Sequence, residues 1–477
     1  MRINLTGGAY QMASVIAAAQ RCVNLFPEIN PAQSGETAKA THYPTAGMVT
    51  RVVLPAAPLR GMFTASNGDL YAVGGAGVYH VASNYAVTQV GTLTTSAGLV
   101  SMADNTLTLV VVDGSKRGND PASLAGGMQV DLATLAAAPM PTEDEGFYGA
   151  DRVEYVSTFL VFNKPGSPQF YVSDSLATTF DPLYFANKSG ATDYLTAAVA
   201  THGQMLLIGQ RTSEVWTLSG ASDFPFQQLQ GTLIEHGTYA PGTIAKIDGQ
   251  VFFLSSDAQG RNIVMKISGY QASRVSNHAI ETQIAASDNS NTAAFCYQYR
   301  GHSFYVLSIA AATWVFDLAT EQWHQWMSLG SLGNEERHRA ICFAYAYGTS
   351  LVGDRVTGSI YELRSDAGTE DGRPIQRIRS FPHMIHDGKR ISYHRLLADM
   401  DVAPDSPANV TLRYSDDRGR SYGNPVRQTL GTNAATNTSV QFRRLGQARD
   451  RVFELSWDSP SLLALNGAFI EVDEAGS

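Results

Sequence analysis

One strand-rich unit recurs along most of the chain: a tight turn, a run of three to five apolar residues, a polar or glycine turn, then a second strand. It is written GDLYAVGGAGVYHV from Gly68, HGQMLLIGQRTSEVWTL from His202, DGQVFFLSSDAQGRNIVMKI from Asp248, RGHSFYVLSIAAATWVFDL from Arg300 and YGTSLVGDRVTGSIYEL from Tyr347. Less regular copies are NTLTLVVVDG from Asn105 and STFLVFNKPGSPQFYV from Ser157. Units repeating at roughly 40–50 residues, none able to bury its apolar face alone, must stack on one another to make a core. Stacked radially they close into a β-propeller, here of six or seven blades, and the chain is predicted to be all-β. A body of this kind has a rim and a central axis, which points to assembly, passage or surface recognition.

Three regions are expected. Residues 1–50 read as an irregular N-terminal arm, with Pro27 and Pro31 interrupting it, and the arm is expected to pack on its own propeller. Within it QMASVIAAAQRC, Gln11 to Cys22, is the one stretch with helix-forming composition. Residues 51–368 hold the repeats. Residues 369–477 follow the polar, glycine-punctuated RSDAGTEDGRP and read as a separate β-sandwich-like module. In its segments SYHRLLADMDV, ANVTLRYSDD, TSVQFRRLG, RVFELSWDS and AFIEVD, apolar and polar residues often alternate as on half-buried sheets.

A net charge of −9 argues against a protein that grips nucleic acid, because displacing counterions from phosphates needs clustered Lys and Arg. An acidic surface instead repels DNA and lets it slide past. The three cysteines, Cys22, Cys296 and Cys342, lack metal-ligand spacing and an even count, and read as small hydrophobes. No apolar run approaches the ~18 residues of a membrane span and no leader is evident, so the chain is expected to fold in a cytoplasm without a membrane anchor.

The search for chemistry finds no P-loop, H-E-x-x-H or G-x-S-x-G, and no catalytic, cofactor or metal residues are assigned. His302, His324 and His338 fall in different elements and are expected to be structural or exposed. The run Glu143, Asp144, Glu145 is expected to be a solvated loop. SDDRGRSY, from Ser415, resembles the Asp-box hairpin of sialidase-like propellers. In that turn the carboxylate of Asp417 bonds backbone N–H groups and Gly419 supplies the permissive φ, a structural role. TWVFDLATEQWHQW from Thr313 resembles a kelch blade end, with Trp323 packing beneath it. The densest basic patch, Arg443, Arg444, Arg449 and Arg451, is the candidate interface, since guanidinium forks suit carboxylates on a neighbouring subunit or adaptor.

The most specific stretch runs from Gly209 to Glu281: SEVWTLSG, then DFPF, IEHGTYAPGTI, a VFFL strand, a GY turn and RVSNHAIE. It resembles the packaged-DNA stabilisation proteins, or tail accessory factors, of short-tailed bacteriophages of the Salmonella podovirus type. QRCVNLFPEINP is similar to that family's start, and VQFRRLGQARDRVFEL to GAFIEV to its end, whereas Gly114 to Gly149 has no counterpart. The motif's Trp216, Phe224 and Phe226 count as structural residues, with Trp323. The resemblance implies a non-enzymatic virion protein, assembled in the bacterial cytoplasm. It implies a ring, usually hexameric, beneath the portal and its adaptor. That ring extends the channel for double-stranded DNA, retains the genome and seats a needle, fibre or spike, without a cofactor. The competing reading is a glycan-binding or glycan-cleaving propeller, motivated by the Asp-box and by Trp323 and Trp326. A sialidase should carry several such boxes, and this chain has one, outside the repeats. A kelch-like scaffold is a third and weaker reading, because one blade alone has that ending.

Overall fold

The computed structural model describes residues 3, 7–11, 18–30, 39–221, 224–256, 262–289, 291–401, 408–431 and 439–474. Seven antiparallel sheets supply the blades: 59–92, 101–139, 153–187, 195–228, 245–274, 293–329, and 340–364 completed by Gly47–Val53. The repeat unit of the sequence is the middle of each blade. In the units opening at His202, Asp248, Arg300 and Tyr347 the opening dipeptide is a hairpin turn in which both residues take positive φ, as at Asp248–Gly249 (51° and 71°) and Arg300–Gly301 (51° and 81°). Such turns match the right-handed twist of the strands they join, which is why a glycine recurs second.

The apolar runs that follow are buried on both faces, and alternate residues serve opposite neighbours. Leu109 and Val111 pack towards the first blade, Val110 and Val112 towards the third. Met205 and Leu207 face the third blade, Leu206 and Ile208 the fifth. Phe304 and Val306 face the seventh blade, Tyr305 and Leu307 the fifth. Each neighbouring pair of blades thus encloses a core, and the seventh meets the first through Leu351, Ile360, Leu70 and Ala72. The circle is closed by chain ends: Gly47–Val53 is hydrogen-bonded antiparallel to Ser359–Arg364, from Gly47 opposite Arg364 to Val53 opposite Ser359.

Beyond the propeller two sheets face each other. One is ordered Leu25–Asn30, Lys39–Pro44, Leu465–Glu474, Ile391–Met400, Ser439–Ala448. The other runs Cys22–Val23, Arg377–Ser380, Asp450–Trp457, Ala408–Ser415, Val426–Leu430. Leu396, Phe442 and Ile470 of the first pack with Val410, Leu412 and Phe453 of the second, a sandwich as expected from the alternation.

The N-terminal residues differ from an irregular arm in supplying strands to both bodies. Leu25–Asn30 accommodates Pro27 because it is an edge strand, where a missing N–H breaks no ladder. Of the helix expected over Gln11 to Cys22, residues 12–17 lie outside the described residues. Its flanks Tyr10–Gln11 and Ala19–Gln20 pair as antiparallel strands, so tertiary pairing overrides alanine's helix preference there. Cys22–Val23 is the splice between the two bodies. It pairs parallel with Gln322–Leu329, the outer strand of the sixth blade, and antiparallel with Arg377–Ser380, so one sheet runs from propeller into sandwich. Asn24, buried with φ of 53°, donates to Met327 O (2.9 Å) and Gln376 O (2.8 Å) and accepts from Met327 N (3.0 Å). Phe26 lies edge-on to Phe304 at 5.5 Å and His302 at 5.1 Å, which seats the N-terminal segment on its own propeller.

A buried carboxyl marks the crossing from seventh blade to sandwich. Glu370, whose strand Thr369–Glu370 pairs beside Gly47–Val53, accepts from Ser328 Oγ at 2.5 Å and lies 3.6 Å from His338 Nε2. Burial pushes Glu370 up to about 7 from 4.5, against the attraction of Arg339 and Arg373, and pulls His338 down to about 3. The folded state therefore holds the Glu370 proton more tightly than the unfolded one. Its contribution to stability is full below about pH 4.5 and is lost as pH rises through about 7. Glu370→Gln should gain up to roughly 3 kcal/mol on wild type between about pH 5 and pH 8, measured as the difference of their urea unfolding curves. Parallel pH profiles would refute the assignment.

Candidate functional site

At the propeller axis lies a cleft of about 610 Å³. Arg60 of the first blade forms part of its wall, and its guanidinium donates to the carbonyls of Gly98 (2.7 Å), Gly75 (2.9 Å), Thr95 (2.8 Å) and Ala97 (2.8 Å) and to Thr95 Oγ1 (2.9 Å). Burial lowers the pKa of Arg60, and burial raises that of Asp151, which accepts from Asn163 Nδ2 at 2.8 Å. The charged groups here are occupied in holding loops. The axis itself is bridged: a Cβ built on Gly242, in the turn before the fifth blade, would lie 2.3 Å from Leu99 Cδ1 and 2.9 Å from Thr292 O. Leu99 precedes the second blade and Thr292 the sixth, so segments from opposite sides of the circle touch.

Among the described residues no three His, Cys, Asp or Glu side chains are placed to share a metal ion. His302 is bound to Asp317 (2.8 Å), whose hydrogen bond raises its pKa. His324 is fully buried and pulled down to about 3 by that burial, and His338 packs at 4.7 Å on Trp326. Glu143, Asp144 and Glu145 form one exposed helical turn in which Glu145 Oε2 accepts from Thr142 N at 2.7 Å.

The stretch from Gly209 to Glu281 is a set of braces. Glu214, fully buried, accepts from Ser189 N (3.2 Å), Gly190 N (2.8 Å), Trp216 Nε1 (2.8 Å) and Gln228 Nε2 (3.2 Å). Trp216 and Phe224 meet Phe170 of the third blade at 5.0 and 5.6 Å, and Phe226 meets Phe159 at 5.8 Å. Lys188, with no exposed side chain, pairs with Asp193 and ties the incoming loop down. Glu214→Ala leaves those donors unmatched and should cost about 3 kcal/mol in urea denaturation. A loss below about 0.5 kcal/mol would dismiss the brace. RVSNHAIE builds a helix, His278–Ala285, capped by Asn277 Oδ1 accepting from Ile280 N at 3.1 Å. Trp323 Nε1 donates to Val275 O at 2.8 Å beside it.

Trp323 and Trp326 are 3% and 2% exposed, so they are blade packing and offer no stacking surface. Asp417 accepts from Ser415 Oγ (2.6 Å), Ser421 N (2.9 Å) and Ser421 Oγ (2.6 Å), hydrogen bonds that hold its carboxyl well below the usual range, and Gly419 has φ of 89°. The four arginines separate. Arg443, Arg444 and Arg449 are exposed, whereas Arg451 is 2% exposed, grips both Asp416 oxygens (2.5 and 2.7 Å) and lies over the rings of Tyr414 (4.1 Å) and Tyr393 (4.7 Å). Arg451 is therefore a packing residue of the sandwich, removed from the surface patch by its bidentate partner.

Comparison with known proteins adds the decisive observation: residues 1–368 match the family model for "Bacteriophage P22 Gp10, beta-propeller". The chain belongs to the P22 Gp10 family. It is a phage packaged-DNA stabilisation protein, and the residues matched are the propeller together with the N-terminal strands that close and brace it. No curated protein sequence matches the chain. Among solved structures it is similar to the WD40 β-propeller domain of Doa1 (11% identity, 67% of this chain and 98% of that one, TM-score 0.40). It is also similar to the Neurospora crassa Pan2 WD40 domain (8%, 67% and 95%, 0.40) and to an exo-β-1,3-galactanase from Phanerochaete chrysosporium (10%, 80% and 98%, 0.29). In this Gp10-family chain, the residues that sequence reading missed are buried polar anchors: Asn24, Arg60, Glu214 and Arg379, the last donating to Gly7 O (2.7 Å), Arg21 O (3.2 Å) and Gly8 O (3.3 Å). No local pattern marks them, since most of their partners are groups brought from other elements.

Proposed function

We propose that this Gp10-family protein is a non-enzymatic hub of a short phage tail, assembled in the host cytoplasm and carried in the virion. Six copies form a ring beneath portal and adaptor, extend the DNA channel, hold the packaged genome and seat a needle, fibre or spike. The observation that carries this reading is the shared sheet: a propeller spliced through Cys22–Val23 to a sandwich is one stiff wall element, suited to bearing genome pressure. Because Leu99, Gly242 and Thr292 bridge the propeller axis, the passage for DNA runs between copies rather than through a blade circle. Residues 369–477 hold fourteen Lys and Arg against fourteen Asp and Glu, so the whole net charge of −9 resides in residues 1–368. Walls of that sign do not retain phosphates.

The test is negative-stain imaging of the purified chain, alone and with portal and adaptor, beside genome retention in particles lacking it. The expected results are ring density under the adaptor and DNA leakage from the deficient particles. Persistent monomers that ignore the adaptor, with genomes retained, would overturn the reading.

A further inference from the structure

We propose that copies associate head to tail, the arginine-bearing edge of one sandwich docking on an acidic platform at the rim of the next copy's propeller. The proposal rests on the ring reading above and names its contact. Ser439–Ala448 is the terminal strand of its sheet, ten residues long and paired in that sheet to Ile391–Met400 alone. In that register Arg443 stands directly opposite Arg395, a like-charge pair that an isolated sheet disfavours and an incoming carboxylate relieves. Arg395 leans on Glu471 at 3.2 Å, whereas Arg443 reaches the neutral Gln441 at 3.0 Å. Arg444, at φ of 60°, breaks the strand's regularity, and it and Arg449 are exposed beside Arg443.

The complementary surface lies within 114–149, inside the residues that match the family model. Two loops are bolted together there by buried Arg117, which donates to Pro141 O (2.9 Å), Asp120 O (3.0 Å) and Ser123 O. Asp144 N adds a bond to Asn119 Oδ1 (2.9 Å), and Glu143 N one to Gly118 O (3.3 Å). With Arg117 turned inward onto carbonyls, this platform presents exposed Asp120, Glu143 and Asp144, against exposed Lys116 as the other cation of the stretch. Asp181 joins them from the loop packed on Gly146. Leucines sit among them, Leu124 39% and Leu183 78% exposed, an apolar centre with a charged rim. A braced surface loses little freedom on binding. The occupant is a second copy because one chain carries both patches, exposed Arg443, Arg444 and Arg449 on its sandwich and exposed Asp120, Glu143, Asp144 and Asp181 on its propeller. Two different patches meeting head to tail generate a ring when the rotation closes.

Sedimentation velocity of the full chain tests the contact, with Arg443→Glu/Arg444→Glu, with Glu143→Arg/Asp144→Arg, and with all four changes together. All four residues are exposed, so thermal unfolding should be unchanged and serves as the folding control. Each pair should weaken self-association by at least about tenfold, and the combined reversal should restore most of it. A wild type that does not self-associate, or a combination without rescue, overturns the proposal. So do pairs that associate like wild type, which would leave arginines that merely guard the edge against strand pairing. Rings seen under the adaptor with either charge pair reversed would sink this contact while leaving the hub reading standing.

Discussion

Deleting residues 1–53 should abolish cooperative folding, whereas deleting residues 1–46 should leave a closed propeller attached to an unstructured C-terminal segment. The difference isolates two jobs done by one end of the chain. Residues 22–44 give two strands to the first sandwich sheet and one to the second, and they bury Cys22, Val23, Leu25 and Phe26 at 0–1% exposure. Each large side chain of this kind contributes about 1.5–3 kcal/mol on burial, and a domain's whole stability is about 5–15 kcal/mol. Losing them with the Asn24 bridge exceeds what the sandwich can spare. Residues 47–53 do a separate job, completing the seventh blade, where Met48 is 1% exposed in the core shared with the sixth. Calorimetry with limited proteolysis checks both: the shorter deletion should keep one transition and lose residues 369–477 to protease. The longer deletion should show no transition. A protease-resistant sandwich after the shorter deletion would contradict the shared-sheet account.

Glu454→Ala should cost about 3–5 kcal/mol, the largest loss expected from one substitution here, because it strands charges at a buried junction. Glu454 is 1% exposed and accepts from Ser380 Oγ (2.6 Å) and Arg413 Nε (2.6 Å). Arg21 stands 3.9 Å away and also reaches Glu335 of the sixth-blade hairpin at 2.6 Å. The carboxylate thus ties the sandwich, the N-terminal segment and the propeller at one point. Urea denaturation should give a lower midpoint with an unchanged slope, and Glu454→Gln should recover part of the loss by still accepting from Ser380. A change within about 0.5 kcal/mol would mean that water replaces the network.

What could be read in advance was whatever is local. The positive-φ dipeptides at Asp248–Gly249 and Arg300–Gly301, the two-sided apolar runs behind them and the alternation of the sandwich strands are written in consecutive residues. They gave the blades and the second module. What stayed hidden is non-local. Cys22–Val23 is a two-residue strand with no periodicity of its own, defined by partners near positions 325 and 379. The helix His278–Ala285 spans eight residues, too few for a 3.6-residue pattern to stand out. Arg60, Arg117, Arg379 and Arg451 look like surface charges in sequence. They are interior because carbonyl or carboxylate acceptors, most of them from other segments, converge on them. For the same reason the basic patch was legible as a run of letters, while the departure of Arg451 from it was not.

The closing strand also sets the order of events during synthesis. Gly47–Val53 leaves the ribosome long before its partner Ser359–Arg364 is translated. Blades can stack as they emerge, but until then the growing molecule is an open arc with strand edges bare and at risk of wrong pairing. Lys39–Pro44 waits longer still, for Leu465 opposite His42. A product halted before Ser359 therefore holds Gly47–Val53 without its partner, and one halted before Leu465 closes its circle but leaves the second body unfinished.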